Sequence, residues 1–117
     1  MSAIANVVVV IVALLHVGFL VLEMFLWTKP FGLKTFKMTQ EVANASAVLA
    51  ANQGLYNGFL AAGLLWGLVS GMMSVKLFFL ACVLIAGIYG GLTAKRSILY
   101  MQALPGLIGL LLVYVSG

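Results

Sequence analysis

The chain has 117 residues, 65% of them hydrophobic and 7% charged, with a mean hydropathy of +1.25, whereas a water-soluble domain carries about 25% charged residues. Such a composition excludes an ordinary soluble enzyme and a disordered tail, and six basic residues scattered along the chain make no basic face for nucleic acid. What remains is an all-α integral membrane protein, and with roughly 20 residues needed per crossing the length predicts a single four-span bundle over residues 1–117.

The first predicted helix covers about residues 2–27, contains the run Val7-Val8-Val9-Val10-Ile11-Val12, and meets its first charge at Glu23. Its leader has no basic residue, which argues against a cleaved signal peptide. The second is predicted over 40–70, with Thr39 able to cap it and Glu41 in its first turn, near the positive end of the helix dipole. The third and fourth are predicted over 75–93 and 98–115. Between the first two, Lys29-Pro30 stops the first helix, and Phe31, Leu33, Phe36 and Met38 then alternate with Lys34 and Lys37. That mixture suits a segment lying at the lipid headgroups, apolar side chains dipping and lysines meeting anionic lipid.

Charge sets the orientation. Lys29, Lys34, Lys37, Lys95 and Arg96 fall on the side of the first and third connections, and Lys76 alone on the other. The positive-inside rule then places both termini outside the cytoplasm, in a multi-pass protein of the cell inner (plasma) membrane. Trp27 and Tyr100 fall near the inner interface and Trp66 and Tyr114 near the outer one, where amphipathic rings are favoured.

In hydrocarbon an unpaired amide or charge costs several kcal/mol, so polar residues inside the spans are informative. Asn52, Gln53, Tyr56 and Asn57 form one patch covering about 140° of the second helix. His16 and Glu23 share a face of the first helix, about 10 Å apart along its axis. By depth, Glu23, Asn52, Gln53, Tyr56, Asn57, Tyr89 and Gln102 are expected to share a layer in the cytoplasmic half. Such a layer either glues the bundle by interhelical hydrogen bonds or forms a ligand pocket open to the cytoplasm, with Glu23 as its only acid. His16 and Arg96 are further candidates. One histidine with one carboxylate is too few groups for a metal site, and none is expected. Cys82 reads as a buried apolar residue.

Small residues recur every fourth position in the rows Ala50, Gly54, Gly58, Ala62 and Gly63, Gly67, Gly71, and again in Cys82, Ala86, Gly90, Ala94 and in Gly87 with Gly91. Close helix approach is expected, and two rows on the second helix point to a homo-oligomer. Pro105-Gly106 predicts a kink in the fourth helix that frees the carbonyl near Met101.

The segments Glu23-Met24-Phe25-Leu26-Trp27, 50–63 from Ala50-Ala51-Asn52-Gln53 through Gly63, Gly87-Ile88-Tyr89-Gly90 and Gln102-Ala103-Leu104-Pro105 resemble the DUF1304 family of small bacterial integral membrane proteins. The resemblance covers nearly the whole chain and implies four spans and no established activity. A fainter likeness is to the MAPEG superfamily of glutathione-dependent membrane enzymes. It is carried by Asn52, Tyr56, Phe59 and Leu60, by Lys95-Arg96-Ser97, and by Pro105-Gly106. Leu55 stands where that superfamily usually has an acid, and Arg96 is at the very start of the fourth helix.

Three functions follow as expectations. The first is a homo-oligomeric bundle whose polar pocket takes a small amphipathic or lipid-like ligand without any cofactor. In the second, glutathione-dependent reading, Lys34, Lys37 or Arg96 would hold glutathione and Tyr56 or Tyr89 would help to activate its thiol. In the third, a small proton-linked transporter, Glu23 titrates and His16 relays.

Overall fold

In a computed structural model, which describes residues 2–116, all regular structure is helical. The elements are α1 (Ser2–Met24), α2 (Pro30–Phe36), α3 (Gln40–Ser70), α4 (Met73–Thr93), a π-helical turn (Leu99–Ala103) and α5 (Leu104–Ser116). Among the described residues, three stretches are long and apolar enough to cross a membrane: Ala3–Met24, Met73–Thr93 and Leu99–Ser116. α3 is the longest helix, but Asn52, Gln53 and Asn57 and its glycines dilute its apolar content, so it is not among the three. The ends of the expected 1–117 domain, Met1 and Gly117, lie outside the described residues.

The first predicted helix ends three residues early, at Met24 rather than Trp27. Phe25 and Leu26 both donate their N–H to Val21 O, at 3.0 and 3.2 Å, and this shared carbonyl breaks the regular ladder. Lys29-Pro30 also starts a helix, because proline at the first helical position gives up an N–H that would have no partner there. α2 then closes on Lys37, whose N–H reaches Leu33 O and whose φ of 53° is left-handed. Thr39 caps α3 by accepting the N–H of Val42 at 3.2 Å.

The chain divides into two compact units, His16–Phe59 and Met1–Leu15 with Leu60–Gly117. The second has a core of Ala5, Val9, Val12, Ala13, Leu64, Leu80, Val83 and Val113. Its helices approach through glycines: Gly63 faces the ring of Phe79, Gly87 the backbone of Ala103, Gly91 the side chain of Leu99, and Gly106 lies over Val83. Gly71 has φ +72° and ends α3, so it is a turn residue and not the last member of a packing row. At the start of α4, Lys76 Nζ donates to Asn6 Oδ1 at 2.9 Å.

The expected kink at Pro105 takes a specific form. Pro105 has no N–H for the carbonyl of Met101, and the chain answers by widening the preceding turn, with the Leu104 N–H bonding Leu99 O. Gln102 and Ala103, inside this turn, are buried.

Many large apolar side chains are exposed: Val69 is 89% exposed, Leu92 76% and Val48 75%. Only about a quarter of each of the three apolar stretches is buried by the protein itself. Water is a poor solvent for such a surface, and a bilayer is a good one.

Candidate functional site

Within the His16–Phe59 unit, α1 and α3 run antiparallel in register, residue numbers falling on one as they rise on the other. Trp27, just past α1, donates its indole N–H to Ser46 Oγ at 3.0 Å. Glu23 meets Gln53 and Asn57, and Leu20 lies against Gly58. Glycine permits the approach. A Cβ built on Gly54 would lie 2.7 Å from Met24 Cγ and 3.1 Å from Glu23 Cβ, and one on Gly58 would lie 2.6 Å from Leu20 Cδ1.

At the centre of this contact the Glu23 carboxylate accepts two bonds, one on each oxygen. Asn57 Nδ2 donates to Oε1 at 2.6 Å and Gln53 Nε2 to Oε2 at 3.0 Å. Both donors are neutral amides. Asn57 is 8% exposed, Gln53 is exposed, and Glu23 is half-buried between them, so the cluster has a closed side and an open one. Below it, Trp27 packs on Phe36 with ring centroids 4.8 Å apart, and the Ser46 hydroxyl donates a hydrogen bond to Val42 O at 2.7 Å. Gln40 Nε2 ties Thr28 O and Asn44 Oδ1 at 3.1 and 3.0 Å.

The expected patch on α3 therefore divides. Gln53 and Asn57 turn toward α1, while Asn52 and Tyr56 are exposed, Tyr56 lying 6.0 Å from the ring of Phe59. His16 is fully buried, with its ring edge toward Phe19 at 5.1 Å. Tyr89 and Gln102 belong to the other unit, where Tyr89 is 71% exposed and Gln102 is buried in the π-helical turn. Arg96 is exposed in the connection before that turn. Among the described residues, no three of His, Cys, Asp and Glu gather as a metal set. An open groove of about 550 Å³ between α4 and α5, lined by Leu77, Phe78, Leu110 and Leu111 with Ser74 and Tyr114, contains none of the expected site residues.

Sequence reasoning missed Ser46 and the second role of Trp27. The signal was present: Ser46 lies seven residues before Gln53, two turns along the same face, and Trp27 lies four after Glu23.

The sequence model of the family described as a protein of unknown function (DUF1304) matches residues 10–114. The chain belongs to the DUF1304 family. Among its relatives is the "Uncharacterized protein YpaA" of Lactococcus lactis subsp. lactis (strain IL1403), 27% identical over 106 residues, which are 87% of this chain and 89% of that protein. No solved structure matches. The DUF1304 match takes in α2, α3, α4 and most of α1 and α5, and so covers Glu23, Gln53 and Asn57.

Proposed function

We propose that this DUF1304 chain crosses the plasma membrane four times, α3 making the fourth crossing, and that Glu23, Gln53 and Asn57 bind the head of a small amphipathic or lipid-like ligand in the cytoplasmic half. The observation that carries the reading is the half-buried carboxylate whose two partners are both neutral amides. A carboxylate offers about four acceptor positions, and one donor on each oxygen leaves room for more. The complementary head group carries N–H donors and a positive charge, and the apolar helices around it favour a hydrocarbon tail. The ligand is thus a long-chain ammonium compound. Exposed Gln53, Asn52 and Tyr56 would border its path.

The test is the thermal stability of the detergent-solubilised protein with dodecylammonium, dodecanol or dodecanoate. Dodecylammonium alone is expected to stabilise, by about 2.7 kcal/mol at a hundredfold excess over its Kd, and Glu23→Gln removes the effect. Equal responses to the ammonium and the alcohol, or an undiminished response in Glu23→Gln, would sink the proposal.

Support for the topology comes from length and charge. α3's 31 residues reach about 46 Å, enough to cross a core of about 30 Å and protrude. An even number of crossings keeps both termini on one side, and the positive-inside rule, with five of six basic residues on the opposite side, makes that side the outer one in this proposal. In a Cys82→Ala background, Met72→Cys is expected to react with an impermeant maleimide on intact cells, and Thr35→Cys and Ser97→Cys only after permeabilisation. The reverse pattern would invert the protein, and a reactive Thr35→Cys beside a protected Met72→Cys would remove this orientation.

Self-association is also proposed, on a face other than α3. Gly54, Gly58, Gly63 and Gly67 meet partners within the chain. Along α1, however, Val7, Ile11, Leu14, Gly18 and Val21 are all exposed at three- and four-residue spacing, and a Cβ on Gly18 would meet nothing within 4 Å. A helix glycine costs about 1 kcal/mol relative to alanine, and here no contact inside the chain offsets it.

A further inference from the structure

α2 is held by one face and presents the other. Gly32 is its fixed point: an added Cβ would fall on the Leu26 carbonyl oxygen and lie 2.8 Å from Trp27 O, so only glycine lets the helix rest on the turn before it. One turn later Phe36 lies against Trp27, which is itself bonded to Ser46 of α3. The left-handed Lys37 then closes the helix. Seven residues would not hold a helix in isolation, and these contacts hold this one.

The outward side combines two incompatible demands. Phe31 is 60% exposed, and Lys29, Lys34 and Lys37 around it are exposed as well. Of the chain's two acids, Glu23 is engaged by its amides and Glu41 is exposed in the first turn of α3, so three lysines face at most one free carboxylate. Water suits the lysines and strands the phenyl ring; a purely apolar partner does the reverse. The boundary between phosphate headgroups and acyl chains satisfies both.

We infer that the outward face of α2 docks anionic phospholipid headgroups, Phe31 entering the acyl boundary while Lys29, Lys34 and Lys37 meet phosphate oxygens. Charge complementarity selects the occupant: a zwitterionic headgroup offers three lysines no net counter-charge. The surface is independent of the Glu23 cluster, so each reading can fail without the other.

The test uses the full-length purified protein in detergent, titrated with dioleoyl-phosphatidylglycerol or dioleoyl-phosphatidylcholine, with bound lipid counted by native mass spectrometry. The anionic lipid is expected to bind preferentially. Its affinity should fall about fivefold in Lys34→Gln and about thirtyfold in Lys29→Gln/Lys34→Gln, at roughly fivefold per basic residue. Phe31→Ser weakens both lipids, whereas Lys76→Gln, whose ammonium bonds Asn6, leaves the preference intact. Circular dichroism checks that each variant keeps its helices. Equal binding of the two lipids by the unaltered chain would overturn the inference, as would a double variant that binds like the parent. Displacement of the lipid by equimolar inorganic phosphate would show a free-anion site and overturn it too.

Discussion

Asn57→Leu is expected to destabilise the protein by about 3 kcal/mol, because it strips one oxygen of a half-buried carboxylate of its partner and leaves the charge in place. The bond lost is the shorter of the two and sits on the closed side of the cluster, Asn57 being 8% exposed. Gln53→Leu removes the longer bond on the open side, where water or headgroups can replace it, and should cost less than about 1 kcal/mol. The decisive comparison is a double-mutant cycle. Glu23→Gln or Glu23→Leu combined with Asn57→Leu removes donor and charge together, and is expected to recover about 2 kcal/mol of the single-variant loss. Reversible unfolding in mixed micelles, followed by circular dichroism, measures each corner. If Asn57→Leu and Gln53→Leu cost the same, or the double variant costs the sum of its parts, Glu23 and Asn57 do not act as a pair.

Gly87→Val is expected to cost still more and to prevent recovery of a monodisperse protein. A Cβ at this position would lie 2.6 Å from the Cα of Ala103 and 2.8 Å from its Cβ, and would also strike the Ala103 backbone nitrogen. These atoms belong to the π-helical turn and cannot swing aside as a side-chain tip can. Either α4 and α5 separate or the turn re-forms, at a cost above about 3 kcal/mol, the upper end of ordinary overpacking. For the stability of the chain itself, apart from the association proposed for the exposed face of α1, Gly18→Ala is the matched control. Its Cβ meets nothing within the chain, and helix propensity alone favours it by up to about 1 kcal/mol. Size-exclusion chromatography and thermal melting separate the two. A well-behaved Gly87→Val with parental stability would mean that α4 does not approach the turn through Gly87.

Much of the fold is legible in the sequence because the bilayer makes polarity and apolar length so informative. The extent of α3, its cap at Thr39 and the prominence of Glu23, Gln53 and Asn57 can all be reached from residue types and spacing. What the pattern could not decide was which edge of the α3 patch turns to α1. Asn52 and Tyr56 are as well spaced as Gln53 and Asn57, and a 140° arc of polar side chains has no preferred half. The choice is made by Gly54 and Gly58, which bring the backbone so close to Leu20, Glu23 and Met24 that only the neighbouring side of the helix can reach the carboxylate. Lys29-Pro30 was ambiguous for a similar reason. A proline that ends one helix is well suited to begin the next, and only the seat of Gly32 on the Leu26 carbonyl shows that it does both.

The widened turn before Pro105 changes how this chain is to be aligned with its relatives. A π-turn spends one residue more than an α-turn before its hydrogen bond closes, so everything beyond it is rotated by the angle of a single residue, about 100°. A relative with one residue fewer between Gly91 and Pro105 would keep Gly106, Gly109 and Val113 on the face that packs in this chain, simply by running straight through in α-helical form. A single-position gap there would be compatible with the same packing face in both chains. An ungapped comparison that carries the shift onward would match the exposed side of one protein with the buried side of the other.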